Sequence, residues 1–138
     1  MLIIGYPCTL YTSSTRINFR DRQGEFHARR SAELSMLQFA VWAAEQQIAA
    51  GHFFLFNPTT SEIWRTPELQ QQLQAESVQS EKSHACAFGP AGDGCYTDKR
   101  MIWVSNSKQL FTAVHSACPG DHDHIAIEGS KTKATQVY

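Results

Sequence analysis

The apolar residues near the start of the chain and in its middle form two short runs. Residues 2–4 are aliphatic and end in a Gly-x-Pro turn, which predicts a short buried strand followed by a tight bend. Residues 52–56 are rich in aromatic side chains and are closed by Asn57 and Pro58, which predicts a second buried strand.

Between these two runs, apolar residues recur every three or four positions, as on one face of a helix. The pattern predicts a helix that begins near Ser31 or Ala32 and ends at Gly51. Its apolar positions are Leu34, Leu37, Val41, Ala44 and Ile48. The order strand, helix, strand predicts a parallel pair joined by a crossover helix. Cys8 and Asn57 then lie at the carboxyl ends of the two strands, where open α/β sheets place their active crevices.

The remaining pattern predicts a polar loop early in the chain and smaller elements after residue 58. Residues 11–30 are polar and basic and predict a long exposed loop. Thr66, followed by Pro67 and Glu68, predicts a short helix. Two further strands are expected at about residues 83–88 and 101–105, with a flexible loop at 89–94. A last helix follows Asn106 or Ser107, and residues 118–138 have no regular pattern. This order predicts an α/β fold with helices on the faces of an open sheet.

Composition supports one soluble domain. The 138 residues are 42% hydrophobic and 18% charged, with a net charge of −1, which argues against a disordered or coiled-coil chain. The apolar run at the start is too short for a signal peptide or a membrane span. We therefore expect a cytoplasmic, intracellular protein with no membrane partner.

The near-neutral total conceals one basic segment. Five of the seven arginines fall within fifteen residues: Arg16, Arg20, Arg22, Arg29 and Arg30. Over residues 11–30 these five charges, less those of Asp21 and Glu25, leave +3. Such a segment favours contact with the phosphates of DNA or RNA, although a solvated loop has the same composition.

The four cysteines are candidates for chemistry, because the chain shows no secretory signal. Cys8 follows the predicted bend at the end of the first strand. A thiol held there, exposed and near peptide N–H groups, is suited to act as a nucleophile. The alternative is a small buried residue at a strand end.

A second group of cysteines and histidines has the chemistry of a zinc site. Cys118, His122 and His124 lie close together in the chain, and Cys86 lies upstream. These four residues form the set expected to bind zinc, with His84 and Cys95 as substitutes. The spacing matches no standard zinc finger, so a polar turn with incidental ligating groups is the alternative. A structural zinc ion would stabilise an otherwise irregular tail.

The bend at residues 4–9, Ile-Gly-Tyr-Pro-Cys-Thr, resembles the Pro-Cys catalytic motif of DNA cytosine-5 methyltransferases. More closely, the chain resembles divergent methyltransferase-like domains of phage and retroelement polyproteins. The resemblance continues, in order, through residues 53–58, 86–89, 103–107, 118–124 and 128–138. It implies a Rossmann-like methyltransferase sheet, a flipped cytosine, S-adenosylmethionine as methyl donor, and attack by Cys8 on the cytosine ring. It assigns Pro7 and Asn57 to the same catalytic site.

The chain departs from this family in two respects. Phe56 stands where the resemblance implies a glutamate that holds the cytosine edge, and an aromatic ring cannot make those hydrogen bonds. The Gly-rich cofactor turn is also absent, because the loop at 89–94 joins two predicted strands and opens no helix. We therefore expect the catalytic half of a degenerate or split enzyme, which transfers no methyl group alone.

On this hypothesis, S-adenosylmethionine binds only if another chain supplies the missing half. The open sheet edge would then favour a second chain or a homodimer. The alternative is a non-enzymatic module, of phage or mobile-element origin, that binds nucleic acid or protein.

Overall fold

A computed structural model describes residues 1–91 and 94–125, without the side chains of residues 13 and 14. The helices are α1 (Ser13–Asn18), α2 (Gln23–Ala50), α3 (Pro67–Leu73) and α4 (Lys108–Val114). The strands are β1 (Leu2–Gly5), β2 (Phe53–Pro58), β3 (Gln79–His84), β4 (Tyr96–Thr97), β5 (Arg100–Ser105) and β6 (His124–Ile125). Short 3₁₀ turns occupy Thr9–Tyr11, Glu62–Arg65 and Ala85–Phe88.

The main sheet has four strands in the order β1-β2-β5-β3. β1 and β2 are parallel, with Ile4 opposite Leu55, and α2 forms the crossover between them as the sequence predicts. β5 lies between β2 and β3 and runs antiparallel to both. The fold is therefore mixed α/β with a mixed sheet. A separate pair of very short parallel strands, β4 and β6, lies near the end of the described chain.

One face of the sheet packs against α2 and forms the main core. The predicted apolar face of α2 is confirmed, since Leu37 and Ala44 are fully buried and Val41 is nearly so. Phe53 and Leu55 of β2 are fully buried in the same cluster. Among the described residues, every buried member of this cluster lies at or before residue 104, so the chain after β5 adds nothing to it.

The opposite face of the sheet carries a second apolar group. Trp103 stacks on Phe54 with ring centroids 5.0 Å apart, and Phe56 lies 5.1 Å from the same ring. With the exposed Ile3, these rings line an apolar cavity of about 350 Å³. The aromatic run of β2 is thus divided between the two faces, because successive side chains of a strand point in opposite directions.

The prediction of a long exposed loop at residues 11–30 is wrong. Most of this segment is helical, and α2 begins at Gln23, eight residues before the predicted start. Phe19 and Phe26 are buried, with ring centroids 5.7 Å apart, where the sequence suggested isolated aromatics. Phe19 ends α1 and Phe26 lies on α2, so the two rings hold these helices together while the polar residues of the turn between them stay exposed.

The later elements differ from the prediction at three strands: one is displaced, and the short strands β4 and β6 were not predicted, β6 lying in the tail that was expected to be irregular. β5, α3 and α4 lie close to their predicted positions. The strand predicted at about residues 83–88 ends instead at His84, and Ala85–Phe88 forms a 3₁₀ turn. Part of the loop at 89–94 and the last segment of the family resemblance, residues 128–138, lie outside the described residues. None of the described helices combines the length and apolar character needed to cross a membrane.

Asn106 connects the end of β5 to the turn that precedes β2. Its Oδ1 accepts a hydrogen bond from the Phe53 N–H at 3.1 Å, and its Nδ2 donates to the Gly51 carbonyl at 2.9 Å. One side chain therefore satisfies two backbone groups where α2 turns into β2.

We expect Asn106→Ala to lower the free energy of unfolding by about 1–3 kcal/mol, because both backbone groups lose their partner. Asn18→Ala at the exposed end of α1 is the control and should change stability by less than about 0.5 kcal/mol. Urea denaturation of the two variants measures the difference, and equal midpoints would contradict the bridging role.

Candidate functional site

The bend after β1 lies beside the end of β2, as the parallel pairing predicts. Cys8 is half-buried and precedes the 3₁₀ turn Thr9–Tyr11. Asn57 is almost fully buried, and its Nδ2 donates a hydrogen bond to the Tyr6 carbonyl at 2.8 Å. The side chain of Asn57 thus fixes the segment that carries Pro7 and Cys8 to the neighbouring strand.

Tyr6 fixes the other side of this bend to α2. Its hydroxyl donates to the Glu33 carbonyl at 2.7 Å, and its ring meets that of Tyr11 edge-on at 5.8 Å. Burial, together with a hydrogen bond to Tyr11, raises the pKa of Tyr6 well above its ordinary value. Burial also raises the pKa of the Glu33 carboxyl. The Tyr6 side chain therefore holds the bend against α2 through a hydrogen bond and a ring contact.

Asn57 carries an acceptor that is not used within the described structure. Its Oδ1 is buried and has no hydrogen-bond partner among the described atoms. A buried acceptor without a partner costs about 1–3 kcal/mol, so it is a candidate contact for water or a ligand group. It lies on the strand end that adjoins the Cys8 bend.

Phe56 occupies the face of β2 opposite to Asn57. Its ring lies against Gly5 of β1, where a Cβ atom would come within 3.0 Å of the ring, and beside Trp103. The residue that stands where the resemblance implies a glutamate is therefore an apolar part of the sheet face. It offers no hydrogen bond to a cytosine.

The five arginines of the basic segment lie on or between α1 and α2, and four of them form ion pairs. Arg22 and Arg29 both contact Glu25, at 3.2 and 2.6 Å. Arg16 and Arg30 contact Glu62, at 3.0 and 3.3 Å. For the fifth, Arg20, no acidic partner is seen in the part of the chain that the structure describes.

A polar cavity of about 300 Å³ is lined by Arg16, Arg30, Glu62 and Arg65. Three guanidinium groups and one carboxylate leave a charge of +2 there. The Arg16 side chain is 63% exposed, and such ion pairs contribute little to stability, so an anion can compete for its guanidinium. Sequence reasoning missed Arg65, because it lies far from the basic segment and reaches it only through the 3₁₀ turn after β2.

The predicted Cys/His set comes together at the end of the described chain. The ligating atoms of Cys86, Cys118, His122 and His124 all lie within 4.8 Å of one another, an arrangement that can hold a metal ion. The Cys118 Sγ lies 3.7 Å from His122 Nε2 and 3.6 Å from His124 Nε2, and the two imidazole nitrogens are 3.2 Å apart. The proposed substitutes, His84 and Cys95, are not part of this group.

Neighbouring side chains orient the cluster. Asp121 Oδ1 lies 2.7 Å from His122 Nδ1, and the Tyr96 ring stacks on the His122 ring at 3.8 Å. Burial, followed by the contact with Cys118, raises the pKa of the Cys86 thiol. Sequence reasoning did not assign Asp121 and Tyr96 to the site. Asp121 could have been found from its position beside His122, whereas Tyr96 is brought there by the pairing of β4 with β6.

Comparisons with protein-family models, with curated proteins and with solved structures find no match to this chain. The geometry of the bend, of the arginines and of the Cys/His cluster is therefore the basis for a functional proposal.

The role of Asn57 can be tested by Asn57→Asp, which keeps the shape of the side chain but replaces its amide donor. At neutral pH we expect a loss of stability of about 3 kcal/mol or more, since a buried carboxylate would face the Tyr6 carbonyl. A protonated aspartic acid can donate the missing hydrogen bond, so the difference from the wild type should shrink as the pH falls. Chemical denaturation of both proteins at neutral and acidic pH measures this, and a difference independent of pH would argue against the hydrogen bond.

Proposed function

We propose that this chain is the catalytic half of a DNA cytosine-5 methyltransferase-like domain and binds nucleic acid at the carboxyl ends of β1 and β2. The observation that carries the proposal is the hydrogen bond from Asn57 to the Tyr6 carbonyl, which holds the Cys8 bend beside the end of the next parallel strand. This is the edge of a parallel pair where α/β enzymes place their reacting groups.

The strand order supports the same proposal. A parallel pair joined by α2 is followed by β3, and β5 is inserted antiparallel between β2 and β3. In this proposal the parallel pair β1 and β2, with its crossover helix α2, stands for the catalytic half of a Rossmann-like sheet.

Cys8 is the proposed nucleophile. Its thiolate would add to the ring of a cytosine that has been flipped out of the duplex, because the ring is inaccessible while it is stacked. Pro7 and the Asn57 hydrogen bond position the thiol rather than react. The free Oδ1 of Asn57 supplies an acceptor at the same strand end.

The arginines provide the contact with phosphate. Arg20 and Arg22 lie between α1 and α2, and the cavity around Glu62 adds Arg16, Arg30 and Arg65. A net charge of +2 in this cavity attracts the nucleic-acid backbone without reading its sequence.

In this proposal, the cofactor site that methyl transfer requires is supplied by another chain. The sequence has no Gly-rich turn between a strand and a helix, which is the element that holds the cofactor in Rossmann-like enzymes. Among the described strands, β1 pairs only with β2, so its other edge can receive further strands. Phe56 in place of the glutamate also argues for a weakened or lost reaction.

A non-enzymatic nucleic-acid-binding module is the second candidate, and Phe56 is the observation that favours it. The two candidates differ in their use of Cys8. A preference for oligonucleotides that contain cytosine, lost in Cys8→Ala, supports the methyltransferase-like site. Binding that depends on the arginines but not on cytosine or Cys8 supports the module.

Nucleic-acid binding is tested by fluorescence anisotropy of a labelled oligonucleotide over a range of salt concentrations. We expect binding that weakens with salt, and Arg20→Ala with Arg22→Ala should lower the slope of log affinity against log salt by about 1 for each lost phosphate contact. Lys108→Ala, an exposed cation on α4, is the matched control and should leave binding unchanged. Absence of binding at low salt would remove nucleic acid from both candidates.

Isothermal titration calorimetry with S-adenosylmethionine tests the division into halves. We expect no heat of binding to this chain, because the Gly-rich turn that would hold the cofactor is not in it. Saturable binding at one site would contradict the proposal that the chain corresponds to the catalytic half alone. Intact folding of the sample, shown by circular dichroism, is the control for a negative result.

A further inference from the structure

We propose that Cys86, Cys118, His122 and His124 bind one Zn²⁺ ion, which joins the segment after α4 to the 3₁₀ turn after β3. This inference does not depend on the proposed function, because it concerns other residues at another place in the fold. It follows from the positions of the four ligating atoms and from what surrounds them.

The distances among the ligating atoms of Cys118, His122 and His124 match a tetrahedral zinc site, and Cys86 Sγ lies within 4.8 Å of each of them. Zinc binds sulfur at about 2.3 Å and imidazole nitrogen at about 2.0–2.1 Å, so tetrahedral geometry places S and N about 3.6 Å apart and two N atoms about 3.3 Å apart. The corresponding distances from Cys118 Sγ to the histidine nitrogens are 3.7 and 3.6 Å, and the two nitrogens are 3.2 Å apart. All three agree with one ion at the centre.

The chemistry of the ligands selects zinc. Two thiolates balance the two charges of Zn²⁺, and a tetrahedral set of two sulfurs and two nitrogens is typical of zinc among biological metals. The four protein ligands also close the coordination sphere, which indicates a structural site rather than a catalytic one. Cys86 is only 3% exposed, so the metal would be shielded on the side of the turn after β3.

Asp121 behaves as the outer partner of a metal-bound histidine. Its carboxylate lies 2.7 Å from His122 Nδ1, which fixes the proton on that nitrogen and turns Nε2 toward the other ligands. Tyr96 stacks on the same imidazole and fixes the plane of the ring. Both contacts hold the His122 ring in the orientation that it needs if its Nε2 binds the metal.

The position in the chain explains why a metal is needed there. α4 contributes no buried residue, and no buried member of the core cluster lies beyond Val104 among the described residues. The described contacts of this segment with the rest of the chain include the short β4–β6 pair and a backbone hydrogen bond from the His84 N–H to the Ser116 carbonyl. A bound metal supplies the stabilisation that apolar burial does not.

Native mass spectrometry of the full chain, purified without chelator, is the first test. We expect one zinc ion per chain and four reduced cysteines, with the zinc confirmed by elemental analysis. Replacement of zinc by Co²⁺ should give the absorption bands of tetrahedral cobalt together with thiolate-to-metal charge transfer. Iron in place of zinc, a Cys86–Cys118 disulfide, or a chain that stays metal-free after reconstitution would overturn the proposal.

Substitutions distinguish the residues that bind the metal from residues that only lie elsewhere in the chain or near the site. Cys118→Ser and His124→Ala should abolish stoichiometric zinc, whereas the matched controls Cys8→Ser and His115→Ala should retain it. If a ligand variant fails to fold, Asp121→Asn keeps the test decisive, since it should weaken zinc affinity by about tenfold while the cobalt spectrum keeps its tetrahedral form. Unchanged affinity in Asp121→Asn would contradict its role as the partner of a metal-bound His122.

Hydrogen exchange locates the effect of the metal. Removal of zinc with a chelator should increase exchange in residues 115–125 and in the 3₁₀ turn Ala85–Phe88. Exchange in β1, β2 and α2 should stay unchanged, because their core does not include this segment. Equal exchange in these segments with and without zinc would show that the ion has no structural role, and would overturn that part of the proposal.

Discussion

The parallel pairing of β1 with β2 is the constraint on which most of this structure depends. A parallel pair needs a crossover, and the chain makes it with the 28 residues of α2. A helix of that length spans about 42 Å, whereas the six residues of β2 span about 20 Å. The first turns of α2 therefore extend past the carboxyl end of the sheet, where Arg30 reaches Glu62 and the Glu33 carbonyl receives the Tyr6 hydroxyl.

The same pairing explains why one polar side chain is buried at this place. Asn57 points into the core side of β2, where an apolar residue would pack with no need for a partner. Its amide instead donates a hydrogen bond to the Tyr6 carbonyl, which lies in a bend and is not paired within a strand or a helix. Buried hydrogen bonds of this kind favour one conformation, because breaking this one would leave the Asn57 amide and the Tyr6 carbonyl without partners in a medium of low dielectric. The position of Cys8 follows from that bond.

The two halves of the described chain differ in how many apolar side chains they bury. From β1 to β5 the structure has an apolar core between the sheet and α2, and the basic segment lies on the surface of α1, α2 and the turn between them. After β5 the described chain has short elements and little burial, and it carries three members of the Cys/His cluster that can hold a metal ion. The candidate nucleic-acid surface and the candidate metal centre thus belong to separate parts of the fold, so one can be disturbed without the other.

The sequence by itself determined the elements whose signals are local. The periodic apolar face of α2, the proline-terminated strand β2, the helix that starts after Thr66, and three members of the Cys/His cluster, Cys118, His122 and His124, were all predicted from neighbouring residues. These signals are local because a helix face, a cap or a pair of ligands on one loop needs only a few consecutive positions.

The tertiary structure decided what depends on residues far apart in the chain. Most of residues 11–30 is helical because Phe19 and Phe26 are buried against each other. Cys86 was expected in a strand but lies in a 3₁₀ turn that contacts the segment after α4. Arg65 joins the basic segment, and β5 enters the sheet between β2 and β3, for the same reason. Such contacts are decided by which surfaces can be buried together, and no local pattern of residues records that choice.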